Sequence, residues 1–295
     1  MDDATLARSL PALLADLWGL EDVDVRPLGG GMNSATCLVT ATGGDRFVAK
    51  WSSDAESLEA GCSAATLLGR QGVRTGEPVG STAGAPVVAM AGGALALLRH
   101  VPGRELDGDS GHEQQLIGTA LATAHTAGCP ASDTGPFMSE WLYPAEDVLA
   151  VATWLPPALA EIRREYNALP QLTWTQLHTD PAPEAFIHDD ATGSTGLIDW
   201  AGSRRGPALH DVASAVMYLG GPQQAEQFLS SYADRGPVEN DELALLDIFR
   251  RFRWAIQASY FAGRIVADDR TGIVDDTDHN TEALARARRG LAEAR

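Results

Sequence analysis

The stretch LHTDPAPEAFIHDDATGSTGLIDW, residues 177–200, places two carboxylates where they could do chemistry. Asp180 follows a His and a Thr, and Asp199 comes nineteen residues later between an Ile and a Trp. Each carboxylate stands at the end of a short apolar run, and turn residues lie between the two runs. A carboxylate can take a proton from a hydroxyl group or hold a metal ion through its oxygens. The pair is therefore a candidate for acid–base and metal chemistry.

A single lysine is the second candidate. Of the 22 basic side chains, Lys50 is the one lysine and the other 21 are arginines. Lysine carries a compact point charge, whereas arginine carries a planar fork of donors, so the two are not interchangeable. From the count alone, chance retention in an arginine-rich chain explains Lys50 equally well. The residues around Lys50 in the sequence must therefore distinguish a function from chance retention.

A glycine-rich turn precedes Lys50 by one strand. The stretch LGGGMNSAT, residues 28–36, brings backbone N–H groups close to an anion because glycine has no Cβ in the way. The candidate anion-binding residues of this turn are Gly29, Gly30, Gly31, Asn33 and Ser34. Such a turn is weak evidence alone, since it also closes ordinary hairpins. Followed by the lysine strand VAK and a helix with Glu56 or Glu59 as partner, it suits a nucleoside triphosphate.

Elements that could position these groups are visible in the hydrophobic periodicity. The first hundred residues read as a small β-rich lobe, with an opening helix over 4–18, strands ending at Lys50, and an inserted helix over 54–70. Beyond residue 102 the pattern becomes mainly helical around one β-hairpin that carries Asp180 and Asp199. Helices are predicted at 112–127, 208–219, 223–235, 239–266 and 281–294, and residues 144–167 hold one or two more, interrupted by Pro156 and Pro157.

Composition excludes several classes of protein. With 295 residues, 44% of them hydrophobic, the chain is long enough for two lobes. The net charge of −18 argues against nucleic acid and anionic membranes as partners. No apolar run is long enough to span a membrane, and the acidic start predicts a cytoplasmic protein. Three distant cysteines predict neither disulfides nor a zinc site.

The chain resembles the aminoglycoside phosphotransferase-like family of protein-kinase-like small-molecule kinases over nearly its whole length. The resemblance rests on the glycine-rich turn, the Lys50 strand, LLRHVPGREL, LATAH, the HxD loop at 178–180, LIDW and GPALHDVASAV. It implies an α+β bilobal fold with a small β-rich N-lobe and a larger, mostly helical C-lobe. Residues 1–101 would clamp the nucleotide, and residues 102–295 would form the catalytic and acceptor-binding lobe.

The resemblance also implies a role for individual residues. Asp180 would be the catalytic base, Asp199 the Mg²⁺ ligand, and Lys50 the lysine on the ATP phosphates, with Glu59 as its partner. Residues Arg99 to Val101 would be the hinge that meets adenine. Asp211 would brace the catalytic loop, and His178 would be a structural hydrogen-bonding residue rather than a proton shuttle.

One position departs from the family pattern. The family has a metal-binding Asn five residues after the catalytic Asp, where this chain has Ala185. Either the neighbouring Glu184 supplies the missing oxygen, or one Mg²⁺ on Asp199 and the phosphates suffices, or the loop has lost its competence for metal. Thr179 also stands where the family usually has Gly.

The sequence therefore predicts an ATP- and Mg²⁺-dependent kinase for a hydroxyl of a small molecule. Its acceptor would be an aminoglycoside-like antibiotic, an amino sugar or an amino alcohol, with a cationic acceptor slightly favoured by the acidic charge. The alternative is a catalytically impaired nucleotide-binding relative. A protein kinase is disfavoured because only about ten residues separate LIDW from the next helix.

Overall fold

The computed structural model describes residues 2–28, 34–271 and 278–294. The chain divides into two compact units, the first made of Met1–Leu106 and Glu184–Arg204, the second of Asp107–Pro183 and Arg205–Arg295. The first unit is built on antiparallel sheets and the second is mostly helical. The predicted α+β fold is confirmed.

The strands in chain order are β1 Asp24–Pro27, β2 Ser34–Thr40, β3 Arg46–Ser52, β4 Val88–Met90, β5 Gly93–Arg99, β6 Arg104–Glu105, β7 Ala131–Asp133, β8 Leu172–Leu177, β9 Phe186–Asp189, β10 Ser194–Leu197 and β11 Arg204–Pro207. The helices are α1 Asp3–Trp18, α2 Ala55–Gly69, α3 Gly111–Ala127, α4 Ser139–Leu142, α5 Glu146–Ala150, α6 Leu155–Asn167, α7 Leu209–Tyr218, α8 Glu226–Ala233, α9 Asn240–Leu243, α10 Leu246–Val266 and α11 His279–Glu293. A 3-10 turn, Pro183–Ala185, precedes β9.

The main sheet of the first unit has the strand order β1-β2-β3-β5-β4 and is covered on both faces. Side chains alternate across a strand, so α1 buries one face and α2 the other. The α1 face includes Ala49, Trp51, Leu95 and Leu97, and the α2 face includes Ala94 and Ala96. Lys50 pairs with Ala96 in the register. The alternation therefore puts the lysine on the face that α2 covers.

A second sheet in the first unit, with the order β10-β9-β6, carries the hairpin that leads to Asp199. The register aligns Phe186 with Leu197 and Asp189 with Ser194. We expected this hairpin in the C-terminal lobe, yet it groups with the first unit. There β9 pairs with β6, and the N–H of Leu197 in β10 donates to the carbonyl oxygen of Arg74 at 2.9 Å.

The second unit is organised around α10, which packs against α6, α7 and α11, while α3 packs against α8. A small sheet with the order β11-β8-β7 lies in this unit, and the loop to Asp180 begins where β8 ends. The helix predicted over 239–266 is broken into α9 and α10. The range 144–167 holds two helices, α5 and α6, with Pro156 and Pro157 in the first turn of α6. No helix among the described residues is long and apolar enough to cross a membrane.

Candidate active site

Lys50 and Asp199 form an ion pair within the first unit. The ammonium of Lys50 donates a hydrogen bond to Oδ1 of Asp199. The lysine side chain is 10% exposed, whereas the aspartate side chain is 57% exposed. The positive charge is thus sheltered on the α2 face of the sheet, and the carboxylate reaches solvent. This combination can bind an anion and its counter-cation side by side.

The backbone at Asp199 adopts a left-handed conformation, with φ of 63°. Residues other than glycine rarely occupy this region, although Asp and Asn tolerate it best. The next residue, Trp200, is buried and its indole N–H donates to the carbonyl oxygen of Leu197 at 2.7 Å. The turn is therefore held by Trp200 on its buried side, while the carboxylate of Asp199 is more than half exposed.

Helix α2 holds the same turn through direct backbone contact. A Cβ built on Gly61 would lie 2.6 Å from the carbonyl oxygen of Trp200, so only glycine permits this approach. One turn earlier in α2, the carbonyl oxygen of Ser57 accepts a hydrogen bond from the N–H of Gly202 at 3.3 Å. Our sequence interpretation missed Gly61, because one glycine inside a helical pattern has no distinctive local signal.

Glu59, the predicted partner of Lys50, lies exposed on α2. In the described part of the chain the ion pair of Lys50 is with Asp199, and none joins Lys50 to Glu59. Both groups act on the buried thiol of Cys62, whose pKa burial raises to about 11, with Lys50 lowering it and Glu59 raising it further. The role of Glu59 at the lysine stays a prediction.

Glu184 and Ala185 lie beside the Asp199 turn in the first unit. The carbonyl oxygen of Ala185 accepts a hydrogen bond from the N–H of Ile198 at 2.9 Å. Ala185 itself is buried, and the preceding Glu184 is exposed. A second carboxylate is therefore carried by the segment that is hydrogen-bonded to the residue before Asp199. Carboxylate oxygens are the protein ligands that Mg²⁺ prefers, so Asp199 and Glu184 fit that ion chemically.

The predicted hinge, Arg99 to Val101, follows β5. The N–H of Arg99 donates to the carbonyl oxygen of Glu77 at 2.9 Å, and the N–H of His100 donates to that of Arg46 at 3.2 Å. These two amides are thus engaged within the first unit. Burial and the charge of Arg46 lower the pKa of His100. Contact of this segment with adenine stays a prediction.

The predicted phosphate-binding turn lies mostly outside the described residues. Gly29, Gly30, Gly31 and Asn33 belong to the range 29–33, which the structure does not describe. Ser34 begins β2, is partly buried and pairs with Ser52 in the register. Among the described residues, no group of three or more His, Cys, Asp or Glu side chains could hold a metal by itself. A Mg²⁺ site of one or two carboxylates completed by phosphates needs no such group.

Asp211 organises the loop that carries Asp180 in the second unit. Its Oδ2 accepts the N–H of His178 at 2.7 Å, and its Oδ1 accepts the N–H of Thr179 at 2.9 Å. Asp211 is fully buried in the first turn of α7. Burial acts to raise its pKa, but the hydrogen bond and charge of His125 hold the pKa below the usual value. The expected bracing interaction is present in this geometry.

His125 and Tyr232 complete this buried network. Nε2 of His125 lies 3.2 Å from Oδ2 of Asp211, and its Nδ1 lies 2.8 Å from the hydroxyl of Tyr232. The carbonyl oxygen of His125 also accepts a hydrogen bond from the hydroxyl of Thr175 at 2.7 Å. Three elements are thereby tied to the strand and loop that lead to Asp180. The side chain of His178 is itself buried.

Thr179 has a φ of 78°, a conformation that strains a β-branched residue. This explains in physical terms why glycine suits the position and why threonine there needs support. The hydrogen bond from its N–H to Asp211 supplies part of that support. The strained residue directly precedes Asp180, so the loop geometry at the carboxylate is set by tertiary contacts.

Asp180 is exposed and receives two hydrogen bonds on the same oxygen. Oδ1 accepts from the hydroxyl of Tyr218 at 2.5 Å and from Nη2 of Arg253 at 2.8 Å. Sequence reasoning missed both donors. They lie 38 and 73 positions away in the chain, on α7 and α10, and no local motif marks them. Only the packing of two helices brings them to the carboxylate.

The long helix α10 carries two aromatic side chains and an amide, Trp254, Tyr260 and Gln257, near the residue that contacts Asp180. Trp254 packs against Gly290 of α11, where a Cβ would lie 2.1 Å from the indole. Tyr260 lies edge-on to Trp141, with ring centroids 5.7 Å apart. Gln257 accepts a hydrogen bond from Arg253 at 3.4 Å. Trp254 therefore belongs to the helix packing, and Gln257 lies next to the partner of Asp180.

Three solved structures share this fold. An amicoumacin kinase, hAmiN, in complex with AMP-PNP, Ca²⁺ and Ami has a TM-score of 0.74 and 16% identity over 97% of this chain and 93% of that one. The choline kinase LicA from Streptococcus pneumoniae has a TM-score of 0.72 and 20% identity over 98% and 99% of the chains. A microcompartment-associated aminopropanol kinase has a TM-score of 0.70 and 17% identity over 97% and 96%.

A family model establishes the relationship at the level of sequence. Residues 24–245 match the model of the phosphotransferase enzyme family, APH, and this range includes Lys50, Asp180 and Asp199. No curated protein matches the chain significantly. The match confirms the expected enzyme class, a small-molecule kinase, and the expected family. The chain belongs to the phosphotransferase enzyme family.

Proposed function

We propose that this protein transfers the γ-phosphoryl group of ATP to a hydroxyl of a small molecule, with Mg²⁺ as the metal. The observation that carries the proposal is the ion pair between the chain's one lysine and Asp199. A sheltered ammonium beside an exposed carboxylate is what a magnesium-bound triphosphate requires: a cation for its oxygens and a ligand for its metal.

In the first unit, Lys50 would bind phosphate oxygens of ATP, and Asp199 would hold the metal, with Glu184 as a second oxygen ligand. Bound Mg²⁺ would neutralise charge on the phosphates and polarise them toward attack. The glycine-rich segment at residues 29–34, predicted to form a turn, would add N–H donors to the phosphates, and the segment from Arg99 to Val101 would meet adenine through its backbone. Each of these residues binds or orients, and none forms a covalent intermediate.

In the second unit, Asp180 would act as the base. The acceptor oxygen attacks the γ-phosphorus, its O–H proton passes to the Asp180 carboxylate, and the bond between the γ-phosphorus and the bridging oxygen breaks to release ADP. The braced loop supports this role, since Asp211 fixes the two residues before Asp180. Asp180 thus orients the hydroxyl and accepts its proton.

We infer that the acceptor is an alcohol that also carries an amino group, such as an amino alcohol, an amino sugar or an aminoglycoside-like antibiotic. The net charge of −18 favours a cation near the protein. Choline kinase and aminopropanol kinase, which share the fold, are named for small amino alcohols. Spectinomycin phosphotransferase, APH(9)-Ia, shares the fold at a TM-score of 0.63 and was solved with ADP and its antibiotic.

One observation favours a second candidate, a nucleotide-binding relative with impaired transfer. Ala185 stands where the family has a metal-binding Asn, and a buried methyl group coordinates nothing. Under this alternative the protein would bind ATP without passing its phosphoryl group to an alcohol.

A product assay separates the two candidates. ATP consumption and product mass are measured with amino alcohols, amino sugars and aminoglycosides, with and without Mg²⁺. Our proposal expects a phosphorylated product that requires Mg²⁺ and falls by at least about 100-fold in Asp180→Ala. ATP binding without Mg²⁺ dependence, together with no product from the whole panel, would instead establish the impaired relative.

A further inference from the structure

Arg253 contacts the proposed base directly. Its Nη2 lies 2.8 Å from Oδ1 of Asp180, and the hydroxyl of Tyr218 lies 2.5 Å from the same oxygen. Asp180 accepts no hydrogen bond on Oδ2 from the residues that the structure describes. The two oxygens of this carboxylate therefore differ, because two donors hold Oδ1 and none of the described residues donates to Oδ2, on a side chain that is more than half exposed.

The guanidinium of Arg253 is itself fixed in place. Its side chain is only 10% exposed, while that of Asp180 is 59% exposed. Nε of Arg253 donates to the hydroxyl oxygen of Ser214 at 2.9 Å, and that hydroxyl donates to the carbonyl oxygen of His210 at 2.9 Å. Nη1 reaches Oε1 of Gln257 at 3.4 Å. The position of Arg253 is thus fixed by its own contacts, and the arginine in turn fixes the position of the Asp180 carboxylate.

Helices α7 and α10 each carry one donor to Asp180 and, four residues away, one side chain that contacts the guanidinium of Arg253. Ser214 and Tyr218 are four residues apart and lie on one face of α7, and Arg253 and Gln257 are four apart and lie on one face of α10. Where these faces meet, one donor from each helix reaches Asp180. A displacement of either helix would therefore move the carboxylate.

The charge of Arg253 is permanent. Burial acts to lower the pKa of its guanidinium, but the charges of Asp180 and Tyr218 and the hydrogen bond with Asp180 raise the pKa overall. A buried cation needs an anionic partner, and Asp180 is the carboxylate in contact with it. Removing the carboxylate would leave a charge uncompensated, so the pair is mutually constraining.

We propose, resting on the function proposed above, that Arg253 is a positioning residue for phosphoryl transfer. Together with Tyr218 it holds Oδ1 of Asp180, so that Oδ2 is the oxygen that receives the hydroxyl proton. Arg253 acts through the carboxylate and touches neither ATP nor the acceptor. Transfer depends on the orientation of the base, and a misplaced base loses rate without losing affinity for ATP.

The test is a double-mutant cycle in which water serves as the acceptor, so no acceptor needs to be known. Single-turnover hydrolysis of radiolabelled ATP in the presence of Mg²⁺ is measured for the wild type, Arg253→Met, Asp180→Asn and the double variant. We expect each single variant to lose roughly 10- to 100-fold in rate with unchanged affinity for ATP. The double variant should be no slower than Asp180→Asn, because Arg253 acts only through the carboxylate.

Circular dichroism shows whether Arg253→Met folds. If it does not fold, two further variants test the same proposal. Ser214→Ala removes the support of the guanidinium, and Arg253→Lys keeps the charge without the fork. Each is expected to slow hydrolysis in the wild-type background and to have no effect beside Asp180→Asn.

The results also separate the two levels of the proposal. Equal losses from the Arg253 change in both backgrounds would show a merely structural role and overturn the inference. A wild-type rate in Arg253→Met, with Asp180→Asn still slow, overturns the inference and leaves the base assignment standing. A wild-type rate in Asp180→Asn overturns the assignment of Asp180 and, with it, the proposed function.

Discussion

The ammonium of Lys50 is hydrogen-bonded to the carboxylate of Asp199, although 149 positions separate them in the chain. The pair is asymmetric, since the lysine is sheltered and the aspartate is open to solvent. Solvent screens the exposed carboxylate, so the attraction itself adds little net stability, although the sheltered ammonium still needs an anionic partner. The pair is therefore better explained by what it can bind than by what it stabilises.

Lys50→Met is expected to separate function from stability. The methionine keeps most of the apolar stem on the α2 face and removes the charge, so turnover of ATP should fall on the order of 100-fold. The melting temperature should stay within a few degrees of the wild type. Arg46→Met, on the exposed start of β3, is the matched control and should retain activity. A large loss of melting temperature in Lys50→Met would contradict this view of the pair.

Asp199→Asn and Asp199→Ala should differ in stability but not in activity. Both remove the charge that would hold Mg²⁺, and each should lower the rate by about 100-fold or more. Asn tolerates the left-handed backbone at φ 63°, whereas Ala strains it by roughly 1 kcal/mol. Urea denaturation should therefore place Asp199→Ala below Asp199→Asn. Equal midpoints would show that the turn relaxes without a cost.

Glu184 and Ala185 can be tested by titration with Mg²⁺. If Glu184 supplies an oxygen, Glu184→Gln should raise the Mg²⁺ concentration at half-maximal rate by roughly 10-fold. Glu184→Asp is the conservative control and should retain most of the affinity. Ala185→Asn, which restores the family pattern, should make the rate insensitive to Glu184→Gln. An unchanged Mg²⁺ requirement in Glu184→Gln would leave Asp199 as the protein's metal ligand.

Thr179→Gly is expected to stabilise the protein. A φ of 78° costs a non-glycine residue roughly 1–2 kcal/mol, and glycine adds about 0.5–1 kcal/mol of unfolded-state entropy. The net gain in the free energy of unfolding should therefore be roughly 0.5–1 kcal/mol, measured by chemical denaturation. Thr179→Val keeps the branched Cβ and should bring no gain. Destabilisation by glycine would show that the hydroxyl of Thr179 contributes more than the strain costs.

His210 predicts a pH dependence of stability. It is fully buried beside Phe137 and Phe252, and burial lowers its pKa from 6.5 to about 4. Between pH 6.5 and about 4, His210 binds a proton in the unfolded chain but not in the folded protein. Stability should therefore fall as the pH drops through this window, by up to about 3 kcal/mol.

His210→Phe should flatten that profile between pH 6.5 and 4, and His112→Phe, at an exposed histidine, should leave it unchanged. Asp211 adds a loss at lower pH, because its depressed pKa gives stability that disappears as the pH falls below about 4. The two contributions can be separated by following the unfolding midpoint across both ranges. An unchanged slope in His210→Phe would place the titrating group elsewhere.

The sequence was informative where a motif consists of residues that are close together in the chain. The LIDW segment, the HxD loop and the lysine strand could be recognised because the spacing of each is local. Helices with strong periodicity, such as α1 and α2, were predicted within one or two residues of their observed ends. Periodicity also favoured a single helix across α9 and α10, where a turn at Ala244 and Leu245 divides the two.

The sequence could not reveal groups that are assembled by tertiary packing. Tyr218 and Arg253 have ordinary helical surroundings in sequence, and only the meeting of α7 and α10 gives them a shared carboxylate. The Asp199 hairpin joins the first unit through contacts without a sequence signature, such as the pairing of β9 with a two-residue strand and the hydrogen bond of Leu197 to Arg74. Backbone strain at Thr179 is likewise invisible until the conformation is known.

The contact between Gly61 and the carbonyl oxygen of Trp200 limits how the first unit can be regulated. With no side chain between them, a displacement of the helix that carries Glu59 would also press on the turn that carries Asp199. A switch that rotates this helix would have to break its backbone contact with the turn proposed to bind the metal. The arrangement therefore favours one fixed position of this helix against this turn.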